Sequence, residues 1–229
     1  MRNSRSAAAS LDVVIPPLGL AGTLDRPSGA LGLIVFAHGS GSSRLSPRNT
    51  AVAKALNAQG FATLLFDLLT PDEEADRSNV FDIALLADRL VDVVRWLGTQ
   101  EQAIAKLPVG LFGASTGAAA ALVAAARLPD RIAAVVSRGG RPDLAGDALR
   151  SVRAPTLLIV GGDDVGVIEL NEEALARLPG PKALEIVPGA THLFPEPGAL
   201  EAVINHAGRW FAQYLVPATP DGRRAGRAR

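Results

Sequence analysis

The chain has 229 residues, 48% of them hydrophobic and 20% charged, ordinary globular values that exclude a largely disordered protein. Twenty-three basic and twenty-three acidic residues cancel, so no global basic field exists to hold nucleic acid. The absence of cysteine excludes disulfides, thiolate catalysis and cysteine metal sites, and three histidines (His38, His192, His206) argue against a multi-histidine metal centre.

Residues 1–10 read as a flexible start. Arg2 and Arg5 precede Ala7-Ala8-Ala9, too short an apolar core for a signal peptide, and no apolar run reaches the ~18 residues of a membrane span. A cytoplasmic chain without membrane or nucleic-acid partners is therefore expected. Residues 11–15 and 20–24 read as an antiparallel ribbon around Pro16-Pro17. The uncharged run 31–37 fits a strand buried on both faces. A helix follows over 47–59, closed by Gly60, and then a second buried strand over 61–66, ending at Asp67. Residues 71–77 read as a polar connection, with Ser78 or Asn79 capping the next helix. That helix carries Ile83, Leu86, Leu90, Val93, Val94 and Leu97 at helical spacing and stops at Gly98.

The later segments repeat the alternation. Strands are expected over 109–112, 132–136, 155–160 and 183–187. Helices are expected over 116–128, 168–178 and 199–214, with a short helical piece over 147–151. Such alternation argues for one doubly wound, mostly parallel sheet over residues 11–215, with helices on both faces. In that architecture ligands bind just beyond the carboxyl ends of the strands. Residues 216–229, rich in arginine and poor in anything to bury, read as a basic disordered tail.

Gly113-Ala114-Ser115-Thr116-Gly117 follows one of these strands and opens a small-residue helix. A serine on such a sharp strand-to-helix turn is lifted above the sheet, over a helix N-terminus that favours developing negative charge. A nucleophilic serine needs a base, and the base needs an orienting acid. His192, in the loop after the last strand, is the late, loop-placed candidate, whereas His206 lies mid-helix. The acid is expected after the 155–160 strand, where Asp163 and Asp164 are both close enough. Asp67 and Glu169 are less well placed.

The oxyanion requires backbone N–H donors. Thr116, next to the nucleophile, supplies one. Ser40, in the glycine-rich loop His38-Gly39-Ser40-Gly41-Ser42-Ser43, supplies the second, and His38 is expected to brace that loop. This loop lacks the spacings of a nucleotide-phosphate cradle. Arg44, Arg48 and Asn49 follow it, and Arg138 follows the 132–136 strand. Arg138 is placed either to hold a substrate carboxylate or to pair with an acid such as Asp143. For Arg44 and Arg48, pairing with acidic neighbours is the simpler expectation.

With these residues the chain resembles the α/β-hydrolase superfamily, in its small dienelactone-hydrolase-like branch, over about residues 11–215. The marks are H-G-S-G-S-S at 38–43, G-A-S-T-G at 113–117, G-G-D-D-x-x-V at 161–167 and G-A-T-H at 189–192. The family carries its acid in a G-x-x-D-x-x-V segment, which selects Asp164 over Asp163. Dienelactone hydrolases use a cysteine nucleophile. Ser115 stands in that place here, which moves the expected substrate from dienelactones to esters in general. The short connection 137–154 leaves no room for a helical lid. The resemblance thus implies a serine hydrolase that cleaves small carboxylic esters through an acyl-enzyme, with Ser115, His192 and Asp164 as triad and no metal or organic cofactor. Thioester, amide or acyl-transfer chemistry would use the same residues. A non-catalytic small-molecule binding module would not need the triad.

Overall fold

The structure, a computed structural model, describes residues 9–215. The strands are β1 (Ala9–Ile15), β2 (Leu20–Arg26), β3 (Leu33–Ala37), β4 (Ala62–Phe66), β5 (Val109–Ala114), β6 (Ile132–Arg138), β7 (Thr156–Gly161) and β8 (Lys182–Val187). They form a single sheet in the order β1-β2-β4-β3-β5-β6-β7-β8. β1 and β2 pair antiparallel, β2 meets β4 antiparallel, and the other pairings are parallel. The antiparallel ribbon and the parallel sheet both match the sequence expectation. Of the flexible start expected over residues 1–10, Ala9 and Ser10 already belong to β1, and the rest lies outside the described residues. So does the whole of the expected basic tail, residues 216–229.

The principal helices are α1 (Pro47–Ala58), α3 (Ile83–Leu97), α5 (Thr116–Arg127), α6 (Val165–Arg177) and α7 (Ala199–Leu215). They cover both faces because strand side chains alternate at period two. In β3, Leu33, Val35 and Ala37 face the core shared with α3 and α5. Ile34 and Phe36 face the opposite core, shared with α1 and α7. The central strands therefore read as unbroken apolar runs. β8 differs: it forms the sheet edge, and Lys182 and the apolar Ile186 stand exposed on it.

Three local expectations change. Residues 71–77 hold a short helix, α2 (Pro71–Ala75), fixed by a capping box between Thr70 and Glu73. α3 is capped by Asp82, whose side chain accepts from the Leu85 N–H, and not by Ser78 or Asn79. The helical piece after β6 spans Pro142–Ser151 as 3-10 turns broken at Gly146, where φ is 55°. A further short helix, α4 (Gln102–Ala105), precedes β5. Ala145 and Leu149 of the 3-10 segment are buried in the core beside α5, so this connection packs down on the body of the protein and builds no lid.

Candidate active site

β3 lies between β4 and β5, and its crossovers run in opposite directions, which opens a crevice at the carboxyl ends of β3 and β5. Ala37 is level with Gly113, and Ala114 with Arg138, so the loops after β3, β5 and β6 begin side by side.

Ser115 stands between β5 and α5 with φ 50° and ψ −122°. A positive φ is rare for a residue with a Cβ and is held only where the surroundings over-determine it. The surroundings here are glycines at the points of closest approach. A Cβ on Gly117 would fall on the carbonyl oxygens of Ala37 and His38, and one on Gly113 would come 2.7 Å from the Gly117 oxygen. A Cβ on Gly39 would lie 2.9 Å from the Ser115 Cβ. The spacing of glycines around Ser115 is therefore a packing requirement between β3, its loop and the turn.

His192 lies in the loop after β8, anchored by the buried Phe194. Its Nδ1 sits 2.6 Å from Asp164 Oδ2, at the N-cap of α6. A carboxylate only accepts, so Nδ1 carries the proton and Nε2 keeps its lone pair. Asp163 is exposed and makes its own turn, its N–H donating to the Ala190 oxygen at 3.0 Å. The structure thus brings Asp164, and not Asp163, to His192. Among the described residues no hydrogen bond joins Ser115 Oγ to His192. Both line one cleft of about 570 Å³, and such contacts tighten when substrate binds.

The remaining expected residues divide into two groups. Thr116 opens α5, where its N–H has no intrahelical partner. Ser40 N–H points at Thr116 Oγ1, 3.1 Å away, which ties the β3 loop to the turn. His38 braces that loop: its ring lies 3.0 Å from the Gly39 oxygen through Nδ1 and accepts the Leu68 N–H through Nε2 at 3.1 Å. Burial lowers its pKa, against the opposing pull of the Gly39 carbonyl, Asp67 and Glu74. Arg44 is not turned to the cleft as a free cation. Asp67 holds both its backbone N–H, at 2.8 Å, and its guanidinium, at 2.5 Å. Asp67 is thereby occupied away from His192. His206 lies on α7 beside Glu185 and Arg209, outside the cleft.

Arg138 ends β6, lines the cleft and is only 6% exposed. It does not pair with Asp143, which is taken by Arg141 at 2.8 Å. Among the described residues its guanidinium has one hydrogen-bond partner, Asn49 Oδ1, at 3.4 Å. Burial, followed by the nearby Arg48 charge, pulls its pKa down to about 10, so it remains cationic at neutral pH. Arg48 also lines the cleft, and among the described residues it finds none of the acidic partners the sequence suggested. Sequence reasoning also passed over Asn171, a fully buried α6 residue whose amide donates to the Gly140 oxygen at 3.0 Å and steadies the turn after β6. An asparagine in the body of an otherwise ordinary helix was the available signal. Among the described residues no three His, Asp or Glu side chains are grouped to hold a metal, and no helix is long and apolar enough to cross a membrane.

Residues 32–154 match the family model of the alpha/beta hydrolase fold. A dienelactone hydrolase from Anabaena variabilis is 54% identical, with a TM-score of 0.87 over 92% of this chain and 99% of its own. A Xanthomonas campestris protein described as an α/β serine hydrolase without a lid shares the fold at 23% identity, with a TM-score of 0.72 over 94% and 98% of the two chains. A Mycobacterium tuberculosis protein named "putative phosphoribosyl transferase" is 61% identical over 212 residues, 93% of this chain and 48% of its own. The chain spans about half the length of the curated relatives it matches. With its sheet order, its strained serine turn and these likenesses together, the chain belongs to the α/β-hydrolase family, in the dienelactone-hydrolase-like branch.

Proposed function

We propose that this protein is a serine hydrolase of small carboxylic esters. The observation that carries the reading is the pairing of a strained Ser115 with a His192–Asp164 hydrogen bond of 2.6 Å on the wall of the same open cleft. His192 Nε2 takes the Ser115 proton as Oγ attacks the ester carbonyl. The Thr116 N–H, at the positive end of α5, faces the oxyanion. Ser40 N–H joins it once the Thr116 hydroxyl rotates away from that donor. The imidazolium, stabilised by Asp164, returns its proton to the departing alcohol, and water then releases the acyl group by the reverse route. Leu45 and Leu193, both exposed on the cleft wall, offer apolar surface to a short acyl or alcohol group.

Thioester and amide cleavage use the same groups and enter as outcomes of the assay. The transferase name of the Mycobacterium tuberculosis relatives describes a chain about half of which corresponds to this one. A serine–histidine–aspartate set is suited to acyl chemistry, and the hydrolase reading rests on it.

The test is hydrolysis of a chromogenic ester series, acetyl to decanoyl, by the wild type and Ser115→Ala. Loss of roughly 10⁶-fold in kcat is expected for the variant. Fluorophosphonate should label the wild type and not the variant. A folded wild type that neither cleaves nor labels would end the proposal.

A further inference from the structure

Among the described residues, two cations line this cleft without a counter-charge. Arg138 Nε and Nη1 are buried and have no hydrogen-bond partner among the described residues, where its guanidinium bonds to Asn49, a neutral acceptor. Arg48, at the start of α1, leaves its Nε buried and unpartnered as well. Three carboxylates at the ends of the neighbouring strands are committed elsewhere: Asp67 to Arg44, Asp143 to Arg141 and Asp164 to His192. A buried charge without a partner is costly, and two like charges raise that cost. The depressed pKa of Arg138 reflects both effects. Arg138 also sits in strand register with Ala114, one residue before the nucleophile, and Arg138 and Ser115 line the same cleft.

We infer that Arg138 and Arg48 form an anion subsite beside Ser115 that holds a phosphate monoester borne by the ester substrate. This deepens the esterase reading and rests on it for the word substrate, though not for the binding itself. The phosphate is held and not transferred, so no bond to it forms or breaks. The charge count favours phosphate over carboxylate. A phosphate monoester carries about −1.5 to −2 at pH 7 and offers three acceptor oxygens. Two guanidinium groups match that charge and can each donate in pairs. A single carboxylate would answer one cation and leave the other bare. Asn49 is then a positioning residue that steers one Arg138 nitrogen and leaves Nε and Nη1 for the anion.

The probe is inorganic phosphate against acetate and chloride at matched ionic strength, read by thermal unfolding of the full chain. Saturating phosphate should raise Tm by about 3–6 °C, and acetate should not. Arg138→Met and Arg48→Met should each weaken phosphate binding at least about tenfold, whereas Arg141→Met, which alters a paired arginine, should retain it. Should Arg138→Met fail to fold, Arg48→Met decides alone. Equal shifts with acetate, no shift with either ion, or a loss of the shift in Arg141→Met would each overturn the assignment. Ser115→Ala separates the two proposals. A phosphate shift kept in this variant, together with a wild type that cleaves no ester, leaves the subsite standing and removes the esterase reading. Ester cleavage that phosphate does not inhibit competitively, in a wild type without the shift, does the reverse.

Discussion

His38 illustrates how a residue can brace the loop beside the cleft through its hydrogen bonds. Its neutral ring is satisfied on both sides, Nδ1–H donating to the Gly39 oxygen and Nε2 accepting the Leu68 N–H. Protonating Nε2 would break the second bond and charge a group whose burial already lowers its pKa. The unfolded chain takes up this proton at about 6.5, and the folded chain does so only at lower pH. Below that pH the unfolded state binds more protons, so this part of the stability is complete above about 6.5 and declines as the pH falls, by up to about 1.4 kcal/mol per pH unit. In His38→Asn the amide oxygen can still accept from Leu68. Urea unfolding between pH 7.5 and 5 should therefore show a shallower decline in the variant than in the wild type, and superimposable pH curves would dismiss the brace. At the same scale, the choice between Asp163 and Asp164 was open to residue spacing and depended on the family resemblance. The reason is physical: both carboxylates leave the same turn, and only the start of α6 at Val165 aims one of them at His192.

Between β5 and α5 the chain makes its most demanding turn, and small residues are what permit it. Gly117 has carbonyl oxygens of Ala37 and His38 where a side chain would begin. Gly117→Ala should therefore push β3 and its loop away from the turn, at a cost of about 1–3 kcal/mol measured by urea unfolding. A variant as stable as the wild type would mean the turn has slack that the packing does not show. The helices were legible where apolar residues recur at helical spacing, as in α3, whose Leu86, Leu90, Val93, Val94 and Leu97 are all buried. The short helices α2 and α4 were not, since five and four residues hold too little periodicity to read. The Thr70–Glu73 capping box was the one local sign of α2.

For the molecule as a whole, α7 closes the face of the sheet opposite α3 and α5. Phe211 is fully buried there, packed over Gly110, where an added Cβ would meet its ring at 2.7 Å, and beside Phe61 with ring centroids 6.4 Å apart. Phe211→Ala should cost about 3–5 kcal/mol in urea unfolding, a large share of the stability of a domain this size. A loss below about 1 kcal/mol would mean that α7 is not part of the cooperative core.

The alternation of apolar runs and the glycines around Ser115 were written in the sequence, because strand burial and tight turns are properties of local pattern, whereas the choice of Asp164 as the acid came through the family resemblance. The partners of the arginines were not. Arg44 met Asp67, from the end of a different strand, and Arg141 took the Asp143 that was one of the two alternatives open for Arg138. Arg48 and Arg138, 90 positions apart in the chain, were left facing one cleft because the start of α1, after β3, and the end of β6 both lie at the carboxyl ends of the parallel strands. A sequence specifies which residues are charged. Which charges find a counter-ion, and which remain for a ligand, is decided only when distant segments are brought within a few ångströms of one another.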